Sequence, residues 1–167
     1  MSSSLKKAVL LSYAKVNLTL DVLAKRPDGY HAIESVMQTI SLHDTITLLA
    51  GGEPGIRITC DVPEIPTDER NLVHKAAAAL IDRAGVSVGL EIGLRKRIPR
   101  EAGMGGGSSN AATVISGLNR LLNLSLPPEA LHETAAGVGS DVPFFLSGGT
   151  ALVRGRGEII SPLPEYR

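Results

Sequence analysis

Residues 99–112 read Pro99-Arg100-Glu101-Ala102-Gly103-Met104-Gly105-Gly106-Gly107-Ser108-Ser109-Asn110-Ala111-Ala112. Before this run, Val88, Leu90, Ile92 and Leu94 alternate as in a strand, and a basic run, Arg95-Lys96-Arg97, leads into it through Ile98. After it, Ala112, Ile115, Leu118 and Leu122 take the spacing of one inward helix face, which predicts a helix from about Ser109 to Leu122. The order is therefore strand, glycine loop, helix. No Gly-Lys-Ser/Thr closes the loop, so it is not a Walker A sequence, and Ser108 stands where a dinucleotide fingerprint needs its last glycine. Glycines let backbone approach a bulky anion, consecutive N–H groups can form a concave nest, and a helix start adds unpaired N–H groups. Ser108 and Ser109 can add hydroxyls, so a polyphosphate suits this loop. The competing reading is a flexible loop with Ser108 or Ser109 as a plain helix cap.

Outward from the loop, residues 8–23 alternate. Val16, Leu18, Leu20 and Val22 are expected on a buried face, and Lys15, Asn17, Thr19 and Asp21 on a polar one. Arg26-Pro27-Asp28-Gly29 carries a type I turn signal. Two strand-like stretches, 32–41 and 45–50, follow, split by Leu42-His43-Asp44, and Ile56–Cys60 reads as a short strand. Residues 61–70 are an acidic loop with prolines. Asn71 to Ala84 reads as a helix with Val73, Ala76, Ala77, Leu80 and Ala84 on one face, ended by Gly85. Pro127-Pro128 opens a third helix that ends near Gly137, and Thr150–Arg154 with Glu158–Ile160 form a hairpin around Gly155 and Gly157. Strands followed by mixed strands and helices predict an α+β fold, a sheet covered on one face.

The 167 residues make about one domain, and 43% apolar with 20% charged residues is a globular composition. Aromatics are 3%, so the core must come from Val, Leu, Ile and Ala. Seventeen basic residues balance seventeen acidic ones, which argues against a general nucleic-acid or membrane-surface binder. A single cysteine, Cys60, excludes an internal disulfide and fits a reducing, cytoplasmic compartment. Lys6-Lys7 followed by AVLLSYA mimics a secretion signal, but Lys15 cuts the apolar run short and a strand is expected there.

Several polar residues are candidates for chemistry. Lys15 and Asn17 share one face of the first strand; Lys15 is either a cleft cation or a solvated edge lysine. Asp141, in Gly139-Ser140-Asp141 before an apolar run, is either a general base or the cap of a turn. With a phosphate loop they would form a phosphoryl-transfer set of base, cation and anion cradle. The four histidines, His31, His43, His74 and His132, have no metal-ligand spacing. Tyr30 and His31 offer a π-face and a directional hydrogen bond to a base, or else a turn packed by an aromatic.

PREAGMGGGSSNAA resembles the central phosphate-binding motif of the GHMP kinases, and AKVNLTLDVLAKRPDGYH and GSDVPFFL are similar to the members whose substrate is a CDP-linked methylerythritol. The resemblance runs from about Ser12 to Glu158. It implies the GHMP amino-terminal domain over residues 1–157, a mixed sheet covered by helices with a left-handed βαβ unit, against the usual crossover hand. Residues 158–167 would begin a linker to a carboxy-terminal domain that the chain lacks. It further implies transfer of the ATP γ-phosphate to the 2-hydroxyl of 4-diphosphocytidyl-2-C-methyl-D-erythritol, in non-mevalonate isoprenoid synthesis. Asp141 would accept the hydroxyl proton and Lys15 would orient that hydroxyl. Residues Pro99 to Ser109 would cradle the triphosphate, with Mg²⁺ held by phosphate oxygens and water and by no side-chain cluster. Asn71 and Lys96 would contact the adenosine part, Tyr30 and His31 would receive the cytosine, and Asn17 would lie near the substrate. Other GHMP substrates, of mevalonate or homoserine type, carry no nucleobase for Tyr30 and His31. A different class of function, nucleotide binding without transfer, follows if half the cleft is missing. Arg100-Glu101-Ala102 departs from the small, neutral residues common in such loops; Arg100 would offset the Glu101 carboxylate, or Glu101 would face solvent.

Overall fold

Two long strands at the amino-terminal end set the frame of the molecule. The structure, a computed structural model, describes residues 5–27 and 29–164. Asp28 of the expected turn and Glu165, Tyr166 and Arg167 of the expected linker lie outside the described residues. Along the chain run β1 (Lys6–Lys25), β2 (His31–Ala50), β3 (Gly55–Cys60), α1 (Leu72–Ala84), β4 (Gly89–Arg95), α2 (Gly106–Leu121), α3 (Pro128–Val138), α4 (Val142–Ser147), β5 (Thr150–Gly155) and β6 (Ile159–Pro162).

β2 is antiparallel to β1 along one edge. Its other edge is divided: Ile33–Gln38 pairs with β5, and Thr45–Ala50 pairs with β4. β3 lies parallel to β4, and α1 connects them, so β3–α1–β4 is a βαβ unit in a mixed six-stranded sheet. β6 hydrogen-bonds to β5, so the sheet continues beyond residue 157, where the sequence placed the end of the domain.

The helices cover one face. Ile46, Leu48, Leu90, Ile92 and Leu94 point into a core closed by Val73, Ala76, Ala77 and Leu80 of α1 and by Val114, Ile115 and Leu118 of α2. Asn71 caps α1, its side chain accepting from the Val73 N–H, and Gly85 ends the helix at φ 62°. This core is aliphatic, and a second, smaller one gathers Met37, Phe144, Ala151 and Val153. Gly117 lets α2 approach the sheet: a Cβ there would lie 2.5 Å from Leu10 Cδ1 and 2.8 Å from Leu48 Cδ1.

Three expectations need correction. The stretches 32–41 and 45–50 are one strand; His43 and Asp44 are paired within it, and residues 40–42 form a bulge, because the pairing jumps from Tyr13↔His43 to Lys15↔Thr39. The predicted buried face of β1 is also wrong: Leu18, Leu20 and Val22 are 57%, 54% and 64% exposed, whereas Lys15 is buried. The register shifts at Tyr13/Lys15 and Asn17/Thr19 break the two-residue alternation, and the large core lies at the other end of β1. Finally, α2 begins at Gly106, inside the glycine run, with Gly105 as its cap, so neither Ser108 nor Ser109 is the cap residue.

Gly117→Val should cost about 1–3 kcal/mol through overpacking of α2 against Leu10 and Leu48. Urea melts of the two proteins check this, and an unchanged midpoint would show that α2 does not sit tightly on the sheet.

Candidate active site

The glycine loop forms one wall of a cleft of about 520 Å³, lined by Lys15, Asn71, Lys96, residues 98–108, Asn110 and Asp141 among others. Its shape is fixed from both sides. The backbone N–H of Lys15 donates to Met104 O at 3.1 Å, which ties the middle of the loop to β1. Gly105 has φ 69°, and a Cβ there would fall 2.6 Å from the Phe145 ring and 3.3 Å from Lys15 Cγ. Only glycine fits that position without displacing Phe145.

A buried polar network anchors the ends of the loop. Asp44, just past the β2 bulge and 0% exposed, accepts from the backbone N–H groups of Arg97 (2.6 Å) and Ile98 (2.9 Å) and from Asn110 Nδ2 (2.9 Å). The Lys96 ammonium donates to the same carboxylate and, at 2.8 Å, to Asn110 Oδ1. Asn110 Nδ2 also donates to Ser12 Oγ at 2.9 Å, and the Ser109 hydroxyl donates to Tyr13 O at 2.6 Å. Burial pushes the Asp44 carboxyl up, but the donors from Arg97, Ile98, Lys96 and Asn110 outweigh it and hold it below its ordinary value.

This network changes the meaning of two expected nucleotide contacts. Ser109 is buried, its hydroxyl is committed to Tyr13 O and Ser12 Oγ, and its N–H donates to Gly105 O, so it offers nothing to a phosphate. Ser108, by contrast, lines the cleft. Lys96 lines it too, but its charge is matched by Asp44. Asn71 lines the cleft while its side chain caps α1 and donates to Pro66 O.

Across the cleft, Lys15 Nζ lies 3.6 Å from Asp141 Oδ2, and their side chains are 6% and 32% exposed. Lys15 Nζ donates to Asn17 Oδ1 at 2.5 Å, Asn17 Nδ2 donates to Ser35 Oγ, and Ser35 donates to Thr19 O. Asn17 therefore aims the ammonium. Asp141 precedes α4 but its side chain makes no capping hydrogen bond, so its oxygens remain available to a ligand. The turn between β5 and β6 closes on this carboxylate: a Cβ on Gly157 would be 3.1 Å from Asp141 Oδ1. The next residue back, Arg156, lies 5.3 Å over the Tyr30 ring. One turn thus links Asp141 to Tyr30, which is 56% exposed and not packed into a core, and to His31 beside it, also exposed.

Sequence reasoning missed Asp44, Asn110 and Arg156. No spacing marks them, since each acts through contacts between distant segments. Asp44 was hidden by its place in an apparent strand break. Among the described residues there is no group of three or more His, Cys, Asp or Glu that could hold a metal. No helix among them is long and apolar enough to cross a membrane.

With these features, the chain belongs to the GHMP kinases: the family described as GHMP kinases N terminal domain matches residues 71–149. Its curated relatives narrow the likeness. Proteins named 4-diphosphocytidyl-2-C-methyl-D-erythritol kinase match it at 50% identity in Pelotomaculum thermopropionicum (92% of this chain, 53% of that protein) and at 46% in Alkaliphilus metalliredigens (95% and 55%). A crystal structure of 4-(cytidine 5'-diphospho)-2C-methyl-D-erythritol kinase superimposes with a TM-score of 0.79 at 38% identity, over 93% of this chain and 55% of that one. Homoserine kinase from Cytophaga hutchinsonii shares the fold at 23% identity, TM-score 0.70, over 97% and 52%. The chain spans about half the length of the curated relatives it matches.

Asp44→Asn should cost about 3–5 kcal/mol, because it leaves the Lys96 ammonium buried without its counter-charge. The pH dependence has a definite sign. The folded carboxyl titrates below its unfolded value near 3.8, so its contribution is present above that value and is lost as pH falls through the lower folded one. Urea melts of wild type and variant should therefore differ most near neutrality and converge in acid; a constant gap would remove the charge of Asp44 from the account.

Proposed function

We propose that this chain carries the nucleotide cradle and the proton acceptor of an enzyme that transfers the γ-phosphate of ATP to the 2-hydroxyl of 4-diphosphocytidyl-2-C-methyl-D-erythritol. The observation that carries the reading is the Lys15–Asp141 pair, held at 3.6 Å on the rim of a glycine loop. The 44–50% identity to kinases of that name supports this choice of substrate.

In this reading the N–H groups of the loop and of the first turn of α2 face the β- and γ-phosphates, with the positive end of the helix dipole behind them. No side-chain cluster among the described residues would hold Mg²⁺, which would come bound to the nucleotide and would supply neutralisation of phosphate charge. The substrate hydroxyl lies between Lys15 and Asp141. Asp141 takes its proton as the oxygen attacks the γ-phosphorus, the bond to the bridging oxygen breaks, and ADP leaves. Lys15, aimed by Asn17, holds the attacking oxygen and faces the charge that develops on it. The cytosine lies at Tyr30 and His31, and Arg156 over Tyr30 brings a cation beside it. Asn71 and Lys96 border the nucleoside end of the cradle, Lys96 as part of a neutral pair. Residues 1–157 with β6 make up the nucleotide-binding unit in this reading.

Two experiments test the assignment, on this chain and on one extended to the length of its relatives. Asp141→Asn should lower phosphoryl transfer by about 10²–10⁴, the usual worth of a positioned base. Turnover close to normal would remove Asp141 from that role. His31→Ala should weaken the CDP-linked alcohol while leaving ATP affinity nearly unchanged; equal losses for both ligands would contradict a cytosine site there.

A further inference from the structure

The cations around the cleft are paired, and one carboxylate is not. Each of the four cations that line it stands within 4.0 Å of its own carboxylate: Lys15 with Asp141, Lys96 with Asp44, Arg70 with Asp68, and Arg100 with Glu64. Arg100, the cation next to Glu101 in sequence, is thus turned to the 61–70 loop. Glu101 lines the same cleft, is exposed, and has no ion-pair partner among the described residues. Of the charged residues that line the cleft, four are cations and two, Glu101 and Asp141, are carboxylates; Glu101 is the one of the six without an ion-pair partner among the described residues, and it sits in the phosphate loop itself.

Glu101 also has φ 56°, the left-handed region that a residue with a Cβ adopts at some cost. The loop needs that backbone shape, as Gly103 and Gly105 share it at φ 68° and 69°. A glycine would supply it with less strain and no charge. The carboxylate is therefore a feature beyond what the loop geometry requires.

We propose that Glu101 is a specificity-determining residue that makes the loop discriminate against the metal-free nucleoside triphosphate in favour of its divalent-cation complex. The inference rests on the assignment of a nucleoside triphosphate to this loop. Free ATP brings about four negative charges and the magnesium complex about two, so an unpaired carboxylate nearby penalises the free form roughly twice as strongly. Favourable contacts come from loop and helix amides, which are the same for both forms, so the discrimination falls to the unpaired Glu101 carboxylate. Glu101 takes no part in proton or phosphoryl transfer in this account.

The test is binding, not turnover. A non-hydrolysable ATP analogue is titrated calorimetrically into this chain at low ionic strength, once with EDTA and once with excess Mg²⁺. Glu101→Gln should tighten the metal-free analogue by about five- to tenfold and the magnesium complex by about two- to threefold, with the difference shrinking as salt rises. Glu101→Gly, which removes charge and backbone strain together, should show the same change in discrimination. Equal tightening of both forms, or none in either, overturns the role of Glu101 while leaving the nucleotide site standing. If the wild-type chain binds neither form, the nucleotide assignment fails and this inference falls with it.

Discussion

The buried carboxylate of Asp44 is the constraint on which the site depends. A charge taken fully out of water is tolerated only when its lone pairs are filled by good donors. Here the donors are the Lys96 ammonium, the Asn110 amide and two backbone N–H groups from the entry to the glycine loop. Satisfying one anion therefore fixes where β4 ends, where the loop begins and how the first turn of α2 is rotated. Ser12 and Ser109 extend the same network to β1, three residues from Lys15, whose main-chain bond holds Met104. A loop rich in glycine loses much conformational freedom on ordering. This loop is ordered from its ends inward, so a ligand meets N–H groups already placed.

The same logic explains why the catalytic candidates come from opposite ends of the chain. β1 delivers Lys15 and also pins the loop through the N–H of that same residue, so the ammonium and the cradle share one support. The bulge opposite Ala14 turns Lys15 toward the cleft while Ser12 still faces the core. Asp141 arrives from the far end on the short helix α4, whose Phe144 is buried and whose Phe145 fills the space beside Gly105. Loop, lysine and aspartate are thereby mutually registered through Phe145 and the Met104 contact, without any of them being close in sequence.

What the sequence conveys and what it withholds follows from the range of the forces involved. Periodic burial is local, so α1 and its face Val73, Ala76, Ala77 and Leu80 were legible, as were α3 and the closing hairpin. The glycine loop was legible because its composition has few other uses. The start of α2 was not: glycine is a poor helix former, and packing on the sheet carries the helix three residues further back than propensity allows. The exposed Leu18, Leu20 and Val22 were misread because alternation predicts two faces but not whether either is covered, and this end of β1 lies beyond the helices with residues 18–25 exposed on both faces. Asp44 and Asn110 were invisible for a deeper reason. Their role exists only once residues 12, 44, 96 and 110 are brought together, and no pattern along the chain encodes that meeting.

Charge balance gives the last step. The chain is neutral overall, and the cleft repeats that economy locally by pairing each lining cation with an acid. A site built from free lysines would attract any polyanion, with an affinity that salt erodes quickly. A site built from amides and a helix start attracts by geometry, because its partial charges point to one place and vanish in their sum elsewhere. Neutralised cations then act as struts: Lys96 supports the loop, and Lys15 is held in line by Asn17 and Asp141 together. The arrangement trades long-range pull for a fixed cradle, and a fixed cradle is what in-line transfer between two bound molecules demands.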